Sequence, residues 1–250
     1  WNGKQIIPEK WVKQSSSEQI RLQGGEESYG YKWWIPNQLE GLYEGRGRGD
    51  QRLVIFPKEN LVVIMTGTGF DPGEVGGYII NALKSKNPLP ENPKAYDLLK
   101  EKLIEIKKAP ESKMGITIPA LAAKIEGNTF KFEENTFGLT LFKLFTSNID
   151  KAKLVLGLDI SRSEEYGERE IPLGMNDQYI ISNNTRFKTP MAAKAEWLSD
   201  NEIEIDYNDF SSNHKYRIRV KFDNEGNADW EMYDEAGFGE TLNLKAKNIK

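Results

Sequence analysis

The part of the sequence from Ala123 onward consists of short runs in which apolar and polar residues alternate, separated by turn-forming residues. In the clearest run, Tyr216, Ile218, Val220 and Phe222 alternate with lysines and arginines. Since successive side chains of a strand point to opposite faces, this run is predicted to be a strand with one wet face. Such runs recur every ~8–12 residues without helical patterns between them, which predicts an antiparallel meander, either closed as a barrel or folded as a sandwich. The predicted strands are 128–135, 139–145, 152–160, 177–184, 192–198, 201–207, 214–222, 228–234 and 240–246.

The earlier part of the chain contains helical patterns. Residues 8–16 predict a short helix, with a proline at its first turn and Trp11 as a buried anchor. Residues 72–86 and 95–109 predict two longer amphipathic helices. The apolar stripe of the later helix consists of Leu98, Leu99, Leu103 and Ile106.

Strand patterns lie between these helices. The aromatic-rich segment 28–36 predicts one strand that stops at its final proline. The apolar runs 51–57 and 60–67 are joined by tight-turn residues and predict a hairpin. Their nearly continuous apolar pattern indicates that this hairpin is buried on both faces.

Proline clusters mark the boundaries between the parts. Three prolines lie within residues 87–93, and prolines also begin and end 110–119. We therefore predict a first domain over 1–87, a linker with one helix over 88–119 and a second domain over 120–250. The predicted fold is α+β: a partial antiparallel sheet with flanking helices, followed by an all-β antiparallel barrel or sandwich.

Composition excludes several classes of function. The net charge of −4 disfavours a nucleic-acid binder, because a phosphate-binding face needs a surplus of lysine and arginine. The absence of cysteine rules out disulfides and thiolate-bound metals, and the only histidine is His214. No apolar run is long enough to suggest a membrane span. We expect no cofactor and no metal ion.

Short motifs of serine acyl-transfer enzymes occur in the chain, but their context favours turns. Residues 212–215 have the Ser-x-x-Lys spacing, yet they lead into a strand, where residues three apart point to opposite faces. Residues 199–201 spell Ser-Asp-Asn between two predicted strands, and 188–190 spell Lys-Thr-Pro without the expected glycine. His214 is expected to be a surface or turn residue. The acidic pairs at 133–134 and 164–165 are expected to be solvated.

The stretch "YEGRGRGDQRLVIFP", residues 43–57, is open to four interpretations: a phosphate-binding glycine loop, an RG-type nucleic-acid segment, an Arg-Gly-Asp adhesion tripeptide at 48–50, or the rim of a hydrolase active site. The phosphate loop lacks its Gly-Lys-Ser/Thr ending, and the net charge disfavours nucleic acid. The adhesion tripeptide needs an exposed loop tip, whereas here it leads directly into a predicted buried strand. The fourth interpretation, the rim of a hydrolase active site, depends on the surrounding segments.

A combination of segments supports the hydrolase interpretation. The segments are "WNGKQIIPEKWVKQSS", "YGYKWWI" and "GRGRGDQRLVIFPKENLVVIMTG", followed by a helix. Together they resemble the C-terminal end of the serine β-lactamase/penicillin-binding-protein-like hydrolases, over residues 1–86. In that family the third segment contains the third catalytic motif, Lys-Thr-Gly or His-x-Gly, on a strand beside the substrate.

The resemblance places Gly45, Arg46 and Gly47 at the third motif and Gln51 and Pro57 at the conserved continuation of its strand. Two departures are evident: a glycine stands at 45 where the family has lysine or histidine, and aspartate stands at 50 where it has glycine. Some members of the broad family have a glycine-rich version of this strand. The resemblance implies a substrate-binding strand made of Gly45, Arg46, Gly47, Arg48, Gly49 and Asp50, in which glycines let a substrate approach the backbone and Arg46 or Arg48 attracts its carboxylate.

The resemblance also implies what this chain lacks. In the family, the Ser-x-x-Lys and Tyr-x-Asn elements precede the segment that Trp1 begins, so no catalytic nucleophile is assigned here. The chain also begins without a methionine. We expect a fragment of a secreted or envelope-associated enzyme that acts on amides or esters, inactive alone. Its exposed strand edges would pair with the missing part or with a second copy.

The second domain resembles the small lipocalin-like β-domain that follows many such hydrolases, through the phrase from Ile125 to Asn135. Its aromatic residues would line a calyx or, as is more usual in small barrels, fill a packed core. These residues are Trp197, Tyr207, Trp230 and Tyr233. The alternative function is therefore a non-catalytic module that binds a ligand or a protein.

Overall fold

The computed structural model describes residues 3–85, 87–108, 111–112, 115–159, 167–183, 189–210, 213–237 and 241–249. The chain forms two compact units, Trp1–Glu91 and Asn92–Lys250. Both are mainly antiparallel β-structure with few helices, so the α+β prediction is matched only loosely. Within the described ranges, every helix is too short or too polar to cross a bilayer.

The first unit is a six-stranded antiparallel sheet whose strands follow one another in sequence order. Its elements are α1 (Glu9–Ser15), β1 (Ile20–Arg21), β2 (Glu27–Tyr29), β3 (Trp34–Pro36), β4 (Tyr43–Gly47), β5 (Gln51–Phe56), β6 (Leu61–Met65) and α2 (Pro72–Ala82). The side chain of Asp71 caps α2 by accepting hydrogen bonds from the first-turn amides. The small core of this unit consists of Leu42, Val54 and Val63, against which Ile79 of α2 packs.

Two predictions for this unit were wrong in part. The helix at 8–16 is present as α1, but Trp11 is half exposed and stacks on Tyr31, with 5.6 Å between ring centroids, because no larger core lies near α1. The segment 28–36 contains the end of one strand and a second strand, not a single strand. Its direction reverses between them, where Lys32 has a positive φ of 68°.

The predicted hairpin is confirmed as β5 and β6, with Phe56 opposite Leu61 at the turn. Its predicted burial on both faces was wrong. One face, with Val54 and Val63, lies against the α2 side of the sheet, whereas Val62 and Ile64 on the opposite face are 57% and 70% exposed. A continuous apolar run cannot distinguish a strand covered on both faces from one that is covered on one face only.

The second unit contains two helices and a ten-stranded antiparallel sheet. Its elements are α3 (Pro93–Glu105), α4 (Ala120–Ile125), β7 (Thr129–Phe132), β8 (Leu139–Phe145), a 3₁₀ turn (Ile149–Lys151), β9 (Lys153–Leu158), β10 (Glu168–Pro172), β11 (Ile180–Ser182), β12 (Met191–Ser199), β13 (Glu202–Asp209), β14 (His214–Phe222), β15 (Ala228–Asp234) and β16 (Thr241–Ile249). The strand order is β10-β9-β8-β7-β16-β15-β14-β13-β12-β11, and the sheet is nearly closed into a barrel.

The two ends of this sheet meet at Gly174, just after β10. Its amide donates to the carbonyl of Ala193 at 3.2 Å, and its carbonyl accepts from the amide of Ala195 at 2.8 Å. Gly174 thereby forms a parallel bridge to β12. These bonds satisfy buried backbone groups at the seam of the barrel.

The barrel interior is a packed core. Phe142 is fully buried, and its ring lies 4.7 Å from that of Phe130 and 5.1 Å from that of Trp230. The predicted inward face of β14 is confirmed, since Ile218, Val220 and Phe222 are buried. The sheet therefore takes the barrel alternative, in which interior side chains fill the lumen.

Two features of this unit differ from expectation. Sequence patterns missed β10, because its first three residues, Glu168, Arg169 and Glu170, are all charged and show no alternation of apolar and polar residues. The helix predicted at 95–109 is present as α3, but the side chains of its apolar stripe are 45–74% exposed. Amphipathic spacing therefore identified the helix but not what covers its apolar face.

Candidate functional site

The predicted substrate-binding residues lie on the hairpin formed by β4 and β5. Gly45, Arg46 and Gly47 belong to β4, and Gly47 lies opposite Gln51 at the end of the ladder. The prediction of one strand over residues 45–50 was wrong in its second half, because residues 48–50 form the turn between the two strands.

The turn explains the residue types at its centre. Gly49 and Asp50 have positive φ values of 68° and 65°, a conformation that glycine and aspartate tolerate better than most residues. Arg48 is exposed, and the Arg-Gly-Asp tripeptide occupies the tip of the hairpin. The tripeptide leads directly into β5, as expected, but the expectations that it lies away from a loop tip and that this strand is buried were wrong. The strand that follows, β5, is only half-buried over most of its length.

Strand β4 is open on one side over its glycine-rich half. It lies between β3 and β5 in the sheet, so it is not an edge strand along its whole length. Its pairing with β3 is limited to Trp34 opposite Glu44, whereas Gly45–Gly47 pair only with β5. The backbone edge of Gly45–Gly47 that faces away from β5 therefore has no partner strand among the described residues.

The glycine at position 45 is not required by packing within this chain. Its φ is not positive, and an added Cβ would meet Leu53 and Trp33 at 3.8 and 3.9 Å, which are ordinary contacts. At Gly47 a Cβ would lie 3.1 Å from Gln51, which is tight. Packing within the fold therefore explains why a glycine stands at position 47 better than it explains the glycine at position 45.

Arg46 is held by two carboxylates. Its guanidinium donates to Glu44 at 2.7 Å and to Glu27, and it lies 4.9 Å from the ring centroid of Trp34. Burial opposes the charged guanidinium, but the hydrogen bonds to Glu27 and Glu44 outweigh it and raise the pKa of Arg46. The charge of Arg46 is therefore largely compensated within the sheet.

Gln51, which the resemblance matches to the family, ties the turn to the end of β6. Its amide nitrogen donates to the carbonyl of Gly49 at 2.9 Å, and its amide oxygen accepts from the backbone of Gly67 at 3.3 Å. Pro57, the other matched residue, directly follows β5. Gln51 thus supports the turn of the hairpin and does not face outward.

A groove of about 790 Å³ lies between the sheet of the first unit and α2. Val54, Phe56 and Val63 form part of its apolar wall, and Gly76 and Gly77 of α2 form another part. Glu44 and Arg52 also line it, 3.9 Å apart. Sequence patterns had not indicated this groove, because it depends on how α2 packs on the sheet.

The aromatic residues of the barrel divide between its two faces. Trp230 and Tyr207 are buried in the core, and Trp197 packs against it. Tyr233 is 37% exposed and points to the outer face, three residues after Trp230 on the same strand. A calyx lined by all four residues is therefore wrong, and packed core is the role of the other three.

The phrase from Ile125 to Asn135 forms the entry to the barrel. Ile125 ends α4 and is buried, and Gly127 follows with a φ of 70°. The carboxylate of Glu126 accepts hydrogen bonds from the amides of Thr146 and Ser147 at 3.0 and 3.1 Å. The side chain of Asn135 both donates to and accepts from the backbone of Leu139. These contacts are structural.

His214 and parts of the short serine-enzyme motifs lie within the described residues. The expected surface or turn residue His214 is partly exposed and begins β14, where its ring stacks on Tyr216 and its Nδ1 lies 3.1 Å from Oδ2 of Asp234. The turn at 199–201 is confirmed, and Glu133 and Glu134 are exposed. Trp1, Lys188, Ser212 and the pair at 164–165 lie outside the described residues.

One polar residue inside the barrel was not found from sequence. Arg169 of β10 donates to the hydroxyl of Tyr207 and lies 3.1 Å from the sulfur of Met191, a fully buried residue. The Nε atom of Arg169 is buried and has no hydrogen-bond partner among the described residues. The position of Arg169 in the barrel was not predicted, because β10 had not been identified as a strand.

No cluster of three potential metal ligands occurs within the part of the chain that the structure describes. Comparison with protein-family models, with curated proteins and with solved structures found no match.

Proposed function

We propose that the chain is the C-terminal part of a serine hydrolase, related to the β-lactamase and penicillin-binding-protein-like enzymes, in which Gly45–Gly47 line the substrate site. The enzyme hydrolyses an amide or ester through an acyl-enzyme. The proposal rests on the resemblance of residues 1–86 and on the order of elements in the first unit: α1, then β4, β5 and β6, then α2.

The observation that carries the proposal is the open edge of Gly45–Gly47. These residues offer backbone donors and acceptors on the side where β3 does not pair. An extended substrate can add along such an edge through main-chain hydrogen bonds. Position 45 also has room for a side chain that this chain does not use, which is expected when the space is needed for a bound molecule.

The charged residues of the hairpin have different roles in this proposal. Arg46 is compensated by Glu27 and Glu44, so it orders the sheet beside the substrate. Arg48 lies exposed at the turn and attracts a substrate carboxylate.

The nucleophile comes from outside these residues. Ser-x-x-Lys and Tyr-x-Asn elements precede this segment in the family, so the partner is the remaining part of the hydrolase domain, either in the same polypeptide or as a separate chain. The resemblance to this family supports a location outside the cell or in the envelope as part of the proposal. Cell fractionation with an antibody against the barrel tests that location.

Active-site labelling tests the proposal. The natural gene product and the 250-residue chain are incubated with a fluorophosphonate and with a fluorescent penicillin. We expect the complete product to be labelled and the 250-residue chain to remain unlabelled. Labelling of neither protein by either probe overturns the proposal.

A matched pair of variants then tests the role of β4 in the labelled protein. Gly45→Val fills the space beside the open edge and should slow labelling at least about tenfold, because the side chain blocks approach to the backbone. Gly167→Val, at a barrel glycine whose added Cβ would meet no described atom within 4 Å, should have no effect. Equal labelling rates for the two variants refute the substrate-binding role of Gly45.

A second candidate function is ligand binding by the barrel. The observation that favours it is Arg169, a guanidinium against the core that has no carboxylate partner among the described residues. Since the guanidinium of Arg169 is only partly buried and the barrel interior is packed, a molecule whose carboxylate binds at the exposed side of Arg169 is the expected ligand. Titration with medium-chain carboxylates, followed by tryptophan fluorescence, should show binding that Arg169→Met abolishes. Absence of saturable binding removes this candidate.

A further inference from the structure

The outer edge of β6 lacks the protection that the other sheet ends have. Strand β1 has only two residues and includes Arg21. In the barrel, β10 contains three charged residues and a proline, and β11 has only three residues. Short length, charge and proline are the usual ways of preventing edge-to-edge association.

Strand β6 has none of these features. It runs from Leu61 to Met65 without a charged residue, a proline or a bulge, and it pairs only with β5 among the described residues. Val62 and Ile64 project from the face opposite α2 and are 57% and 70% exposed. A five-residue apolar strand with a free edge is a template for another strand.

We propose that β6 pairs with β6 of a second copy of this chain, antiparallel and around a two-fold axis at Val63. This register places Val62 opposite Ile64 of the other copy and Leu61 opposite its Met65. Apolar and β-branched residues then meet on both faces, which is the pairing that most stabilises antiparallel strands. The two sheets join into one continuous sheet.

The flanking residues favour the same arrangement. In the antiparallel register Glu59 lies opposite Gly67 of the other copy and Lys58 opposite its Thr68, so no like charges face each other. A parallel pairing in register would place each Glu59 beside its counterpart, which is destabilising. The same surface patch occurs on both copies, as a closed two-fold dimer requires. The inference concerns the 250-residue chain alone, since the remaining part of the hydrolase domain in the proposed function would compete for exposed strand edges.

Size-exclusion chromatography with light scattering on the 250-residue chain tests the dimer. We expect a concentration-dependent species of about twice the 28.5 kDa of the chain. Val62→Lys/Ile64→Lys places lysines opposite lysines and should weaken association at least about tenfold. Both positions are exposed, so the variant should fold, and circular dichroism checks that it does. Ile20→Lys, at the other edge of the same sheet and equally exposed, is the control and should leave the dimer intact.

A charge-swapped variant tests the register. Val62→Lys/Ile64→Glu places each lysine opposite a glutamate only in the antiparallel register, so the dimer should persist and weaken with salt. Hydrogen exchange should show amides of residues 61–65 protected in the dimer and exposed in the double-lysine variant. A monomer at all concentrations, or a dimer that the double-lysine variant does not weaken, overturns the proposal.

Discussion

Substitution of Gly174 tests whether the seam closes the barrel as described. An alanine Cβ at this position would lie 1.7 Å from the backbone carbonyl oxygen of Gln178, a distance at which the backbone must move. Since the obstacle is backbone, no side-chain rotation relieves it. The shift breaks the two bonds that Gly174 makes with Ala193 and Ala195.

The structure sets the magnitude of this effect. Each buried backbone bond that loses its partner costs ~1–3 kcal/mol, so loss of the two bonds in Gly174→Ala should lower the free energy of unfolding by about 2–6 kcal/mol. With a urea m-value of ~2 kcal/mol/M, the unfolding midpoint falls by about 1–3 M. The amide of Ala195 should exchange ~30-fold faster or more, because 1.4 kcal/mol corresponds to a factor of ten.

Urea unfolding and hydrogen exchange by mass spectrometry measure both quantities. Gly167→Ala is the control, since a Cβ there meets no atom of the described residues within 4 Å and its φ is not positive. It should leave stability unchanged or raise it slightly. If the two variants have the same midpoint, or if exchange at Ala195 is unchanged, the barrel is not closed through Gly174.

Two further predictions concern the barrel. Phe142→Ala removes a fully buried ring from the aromatic cluster and should lower the free energy of unfolding by about 3–5 kcal/mol, whereas Phe137→Ala, half exposed, should have little effect; urea midpoints of the two variants decide this. Burial raises the pKa of Asp206, so its contribution to stability is greatest below the unfolded-state pKa and is lost as the pH rises through the folded-state pKa. Asp206→Asn should therefore gain stability relative to the parent chain as the pH is raised from 3.5 to 7, and a constant difference over that range would contradict the assignment.

The predictable part of the fold followed from local patterns. The alternation over 215–222 correctly identified the buried face of β14, because the two-residue period of a strand is a property of the backbone. The helix beginning after Asp71 was predictable for a similar reason, since its cap and Pro72 are local signals. The strand β10 was not, because three of its five residues are charged.

The candidate site was only partly predictable. The resemblance predicted one strand from Gly45 to Asp50, whereas the structure has a strand and a turn there, because that division depends on the pairing of Gly47 with Gln51. The compensation of Arg46 by Glu27 could not be foreseen, since the two residues are brought together by the sheet and not by spacing in the chain. Arg169 was missed because its partners lie on strands distant in sequence.

The sequence by itself determined that most of the second unit is antiparallel strand, the absence of cysteine chemistry and the inward face of β14, because these depend on residue type and period alone. Only the tertiary structure decided which strand ends remain unpaired, that the barrel closes at Gly174, and that β4 is open beside Gly45–Gly47. These features depend on pairing between segments that are distant in the chain. Such pairing forms when the packing of whole sheet faces outweighs the entropic cost of closing the loops between them. A local sequence pattern reports neither the packing energy nor the loop-closure cost.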